Sequence, residues 1–139
     1  SFKPETDDMR ESPSLVIIPE LIRAGAFIRA FDPQAMAEAM KAMKDHEKFI
    51  SYCEDEYDAC RNAHAIVILT DWNQFRRLDL EKVATMMKGR NFFDLRNLYD
   101  PEEVYNMGFQ YDGVGKTLSA HLKGLDRQEN PEQLEFKAR

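Results

Sequence analysis

At 139 residues, with 43% of them apolar, the chain is the right length for one domain around one core. A formal net charge of -6 argues against a nucleic-acid binder working through a broad cationic face, so any anion it takes is held by a few placed residues. The 2 cysteines are too few for a disulfide framework, no apolar run nears the roughly 20 residues of a membrane span, and no signal peptide opens the chain, which together predict a cytoplasmic protein without a membrane partner.

Ser12-Pro13 reads as a helix start, because serine accepts from a free backbone N–H and proline in the first turn has no N–H to strand. Leu15, Ile18, Leu21 and Ile22 recur at helical spacing and Gly25 stops the run, predicting a helix over 13–24. The short apolar stretch 26–32 then predicts a strand. Asp32-Pro33 repeats the cap-then-proline signal ahead of a run of good helix formers, PQAMAEAMKAM. A strand over 48–53 and a helical segment up to Ala63 follow. AIVILT, at 65–70, opens with five consecutive apolar residues and resembles a central parallel strand covered on both faces. An amphipathic helix from about Asp79 to Lys88, ended by Gly89, precedes the strand NFFDLRN. Asp100, Pro101 and Glu103 then mark a short helix with a capping box, and FQYDGVG reads as the final strand. Beyond Lys123 the chain is strongly polar and reads as a loosely held tail.

Alternating strands and helices of these lengths predict an α/β fold, a sandwich built on a mostly parallel sheet, with no repeats and no linker to a second domain. In such sheets ligands sit outside the carboxyl ends of the strands. That rule selects the loop from Lys3 to Arg10, Asp32, the stretch TDWNQF after the 65–70 strand, and Asp94 to Asn97.

GVGKT, at 113–117, looks like the end of a phosphate-binding loop, but the glycine needed five positions before Gly115 is Gln110, so the glycines are read as serving a turn. Asp7-Asp8 lacks further acids at metal-ligand spacing and suits the positive end of the first helix. Cys53 and Cys60 have no histidine at motif spacing, since His46, His64 and His121 are scattered, and both are read as structural. Lys3, Arg10 and Arg96 differ. Each is a cation at a strand end or in the loop leaving it, where this architecture binds phosphate, and arginine's planar fork matches a phosphate oxygen pair or a ribose.

In order along the chain, FKPETDDMRESPS, FDP, AIVILTDWNQF, FFDLRN and GFQYDGVGK resemble the C-terminal, UDP-sugar-binding domain of the UDP-glucose/GDP-mannose dehydrogenase family. The match runs from Ser1 to about Lys116. It implies a Rossmann-like three-layer sandwich over residues 1–123, with a polar tail at 124–139. The first strand of the family's domain ends at about SFK, so it would be largely missing from this chain. Its body would lie between the strands at 26–32 and 65–70, and both neighbours would then carry unpaired backbone.

The resemblance further implies a full-length enzyme that oxidises the 6-hydroxyl of UDP-glucose to the carboxylate of UDP-glucuronate, a polysaccharide precursor, using two NAD in succession. On the matching positions, Phe2, Lys3 and Arg96 would contact the nucleotide sugar, and Arg10 would reach the NAD of a neighbouring domain. Trp72 and Phe75 match a family pattern, and core or interdomain packing is read as their role. The chain carries neither a Rossmann glycine fingerprint nor the family's glycine-rich cysteine segment. It is therefore read as a substrate-binding fragment, without a catalytic residue or metal ligand of its own, from an enzyme that is a homo-oligomer at full length. Two alternatives stay open: a stand-alone nucleotide-sugar-binding or regulatory module, and a dehydrogenase for UDP-N-acetylhexosamine or GDP-mannose.

Overall fold

A computed structural model describes residues 13–113. Phe2, Lys3, Arg10, the Asp7-Asp8 pair, His121, most of GVGKT and the polar tail lie outside the described residues. In chain order the elements are α1 (Ser14–Arg23), β1 (Ile28–Ala30), α2 (Met36–Ala42), a 3-10 segment (Lys44–Phe49), β2 (Ile50–Tyr52), α3 (Glu56–Cys60) and β3 (Ala65–Ile68). There follow α4 (Asn73–Arg76), α5 (Leu80–Met86), β4 (Asn91–Asp94), α6 (Pro101–Asn106) and β5 (Gln110–Gly113). All strand pairings are parallel. β1 pairs with β2, and β3, β4 and β5 form a second ladder in that order.

Local chemistry accounts for most of these boundaries. Gly25 takes a φ of 99, a left-handed value that ends α1 at no steric cost. Asp55, Asp79 and Asp100 cap α3, α5 and α6, each accepting from a backbone N–H two or three residues on. In α6 the bond to Asp100 comes from Glu102, with Pro101 at the first position. The Asp32 carboxylate accepts from Gln34 N–H at 3.0 Å and Ala35 N–H at 2.8 Å, so it closes a turn and the helix itself begins only at Met36. α4 is a single turn absent from the sequence-based expectation. The strands are shorter than their apolar runs, because pairing stops where the chain leaves each ladder.

Gly89 does not end α5, which stops at Met86. Its requirement is close approach: a Cβ there would lie 2.1 Å from the His64 carbonyl oxygen. The turn is drawn in because Lys88 N–H and Gly89 N–H both donate to Ala63 O, at 2.9 and 3.1 Å.

The core is centred on β4. Phe92 is fully buried, with Tyr99, Phe109 and Tyr111 around it at ring-centroid distances of 5.3, 5.6 and 6.0 Å. Val83, Val104, Leu80, Cys60, Ile68 and Met87 complete it. The other half of the molecule is less filled. α1 buries only Ser14, and its apolar stripe stays half-exposed. β1 and β3 are not joined by a ladder. Between them lies a largely apolar cavity of about 600 Å³, lined among others by Ile17, Leu21, Ile28, Ile66, Val67 and Phe75. The two ladders are separate at the place where the resemblance puts the domain's first strand, between the 26–32 and 65–70 segments.

Candidate functional site

Because each ladder is parallel, the chain leaves β3, β4 and β5 at one edge of the sheet. Ile68 is in register with Asp94, so Asp71 and Arg96, three and two residues beyond them, come out side by side. Leu95 N–H donates to Ile68 O at 3.1 Å and carries the ladder one step past the last strand residue.

Asp94 fixes the loop that follows. It is fully buried. One carboxylate oxygen accepts from Tyr99 N–H at 2.9 Å and from the Tyr111 hydroxyl at 2.8 Å; the other accepts from Arg96 N–H at 3.2 Å. Three donors around one buried carboxylate offset the cost of removing it from water. Asn97 turns the chain with a left-handed φ of 55. Tyr99 in turn donates its hydroxyl proton to Phe75 O and accepts from Leu78 N–H at 3.2 Å, tying the β4 loop to α4 and its exit. Burial pushes the Tyr99 and Tyr111 phenols upward, and Asp94 adds to both shifts, so both keep their protons as donors.

Charged groups gather in front of this scaffold. Arg96 extends its guanidinium to 3.8 Å from Asp71 Oδ1, while Arg76, on α4, reaches to 3.9 Å from Asp71 Oδ2. Asp71 is thus flanked by two arginines, one to each oxygen, and the trio carries a net single positive charge. Both arginine side chains are partly open to solvent, at 46% for Arg76 and 37% for Arg96, so either can meet an anionic ligand. Trp72 is buried, and Phe75 packs against the core and edge-on to Phe31 at 6.3 Å.

The thiols offer no nucleophile at this edge. The thiol of Cys60, inside α3, is pushed up to about 12 by burial and by Glu56 and Asp55 nearby; that of Cys53 is raised by burial as well. His46 and His64 lie just before β2 and β3, at the amino ends of their strands. No group of three or more potential metal ligands occurs among the described residues, and no helix among them is long and apolar enough to cross a membrane.

Of the four residues selected from the sequence, the structure places Arg96, at the strand ends as the topology rule required; Phe2, Lys3 and Arg10 lie outside the described residues. The same rule picked out the segments holding Asp71 and Asp94 without separating their roles. Arg76 reaches Asp71 only through the single turn of α4, which the sequence did not announce, and their common link to Arg96 depends on the β3–β4 register.

Comparison with known proteins gives a consistent set of likenesses. Residues 1–101 match the model of the UDP-glucose/GDP-mannose dehydrogenase family, UDP binding domain. The chain is 40% identical over 116 residues to a UDP-glucose 6-dehydrogenase of Rhizobium meliloti, covering 84% of this chain and 26% of that protein. It is 38% identical over 130 residues to one from Pseudomonas aeruginosa, covering 88% of this chain and 28% of the relative. The chain therefore spans about a quarter of the length of these curated relatives. Among solved structures it shares its fold with the NDP-N-acetyl-D-galactosaminuronic acid dehydrogenase of Methanosarcina mazei Go1. The TM-score there is 0.63 at 24% identity, over 84% of this chain and 23% of that one.

Proposed function

The chain belongs to the UDP-glucose/GDP-mannose dehydrogenase family, and from that premise we propose that it is the nucleotide-sugar-binding part of a UDP-glucose 6-dehydrogenase. The observation that carries the reading is the placement of Arg96 at the carboxyl ends of a parallel sheet, its backbone anchored by buried Asp94 and its side chain partly open. In this reading Arg96 donates to the nucleotide sugar, Lys3 and Phe2 contribute from the preceding loop, and Arg10 reaches towards NAD.

The overall reaction takes the 6-hydroxymethyl group, two NAD and one water to a carboxylate, two NADH and three protons. Hydride acceptance is the cofactor's chemistry. Neither Cys53 nor Cys60 supplies the thiolate that such an oxidation uses, because burial holds both thiols protonated. The role of this domain is to bind and orient. The apolar cavity between β1 and β3 fits the same reading. A strand from the longer polypeptide would fill it, pair with both open edges and deliver Phe2-Lys3 to the edge where Arg96 stands.

The test is an assay of the full-length protein with UDP-glucose and NAD, with GDP-mannose and UDP-N-acetylglucosamine offered in parallel. NADH formed from UDP-glucose in preference to the others supports the assignment. Preference for another sugar nucleotide transfers the enzyme within its family. Binding of UDP-glucose with no NADH from any of the three would make the protein a binding module.

A further inference from the structure

Asp71 is unusually arranged for a surface ion pair. Its Oδ1 is buried yet has no hydrogen-bond partner among the described residues, although the Arg96 guanidinium lies 3.8 Å away and Arg76 lies 3.9 Å from the other oxygen. Both separations exceed the 2.7–2.9 Å of a charge-assisted N–H···O bond by about an ångström. Asp71 immediately follows buried Thr70 at the exit of β3, while Arg96 is pinned at its backbone by Asp94 in the next strand's loop. The backbone of Asp71 leaves the sheet three residues beyond β3, and each arginine reaches its carboxylate on a flexible stem. Two guanidinia drawn to one carboxylate repel each other once it is removed, and each then gains freedom in water.

We propose that Asp71 is a positioning residue: it holds the Arg96 guanidinium at the carboxyl edge of the sheet so that a nucleotide diphosphate meets it already ordered. The carboxylate does not touch the ligand. It acts through Arg96 and removes part of the cost of immobilising a long side chain on binding. This inference rests on the assignment of Arg96 to the nucleotide sugar.

The test uses the full-length enzyme and UDP as probe, by calorimetry, with UDP-glucose kinetics alongside. Asp71→Asn should weaken UDP binding about three- to tenfold and raise KM similarly, with kcat within about twofold, the effect of ordering one long side chain. Asp71→Glu, which keeps the charge, should restore most of the loss. In an Arg96→Ala background, Asp71→Asn should add nothing. Unchanged or tighter UDP binding by Asp71→Asn overturns the proposal, and so does an equal loss whether or not Arg96 is present. If Arg96→Ala itself leaves UDP binding unaltered, the assignment of Arg96 fails first. If Arg96→Ala weakens it and Asp71→Asn does not, only the positioning role falls. Should Asp71→Asn not fold, Asp71→Ser gives the same comparison.

Discussion

Replacing Asp94 by alanine removes one fully buried carboxylate and the anchor of three donors, Tyr99 N–H, the Tyr111 hydroxyl and Arg96 N–H. The losses differ. The Tyr111 hydroxyl has a second acceptor in Tyr99 O at 3.3 Å, so it keeps a weak bond. Arg96 N–H, beside an exposed side chain, can turn to water. Tyr99 is only 4% exposed, and its N–H is left without a partner in the core, at about 1 to 3 kcal/mol. Adding the loss of charge-assisted bonds, and subtracting the relieved cost of burying a carboxylate, gives a net destabilisation of about 3 to 5 kcal/mol. The chain's 1 tryptophan, Trp72, is buried and reports unfolding in urea by fluorescence. Tyr111→Phe is the comparison. It should cost about 1 to 2 kcal/mol, and the double variant should fall short of the sum because both changes break one network. A cost below about 1 kcal/mol for Asp94→Ala would refute the view that the carboxylate organises the loop carrying Arg96.

In the full-length enzyme Arg96→Ala should raise the KM for UDP-glucose, the loss of a charged hydrogen bond being worth about 1.5 to 3 kcal/mol, and an unaltered KM would remove Arg96 from the site. Gly89→Ala should destabilise by more than about 2 kcal/mol, since its Cβ would sit 2.1 Å from the His64 carbonyl oxygen; a variant melting with the parent would contradict that close approach. Alkali should unfold the chain in a defined window. The Cys60 thiol is raised from 9.0 to about 12, and the Tyr99 and Tyr111 phenols are raised above 10.0, so above about pH 9 the unfolded chain releases protons that the folded chain keeps. Stability is then fully present below about pH 9 and falls as pH rises, by at most about 1.4 kcal/mol per pH unit for each group, which urea midpoints between about pH 8 and 11 will read. A midpoint that stays level across that range would count against burial of these groups.

Much of this molecule follows from short-range chemistry. The alternation of apolar runs with capped helices sets the order of elements, because an aspartate before a helix and a glycine after it act within one turn. The parallel ladder follows from strands separated by helices, and the parallel ladder puts every loop after a strand at one edge; hence the edge position of Arg96 is legible from its place in the chain. The failures are equally physical. Gly89 looks like a helix stop in sequence, yet its need comes from the carbonyl of His64, distant along the chain, which no periodicity reveals. α4 is too short to show a helical period.

What only the tertiary structure decided is which charges share a partner. Arg76, Asp71 and Arg96 come from the segments that follow two different strands, and the turn of α4 together with the β3–β4 register turns them into one row. Asp94 reads as a loop acid in sequence. Its donors in space make it a buried hub, because Tyr99 and Tyr111 arrive from separate segments. The gap between β1 and β3 was inferred from resemblance, but its apolar lining and the half-exposed stripe of α1 exist only once the strands are placed. Each segment's own preference is local and legible in its residues; the long-range pairings, whose closure entropy is met by burial elsewhere, choose which residues meet.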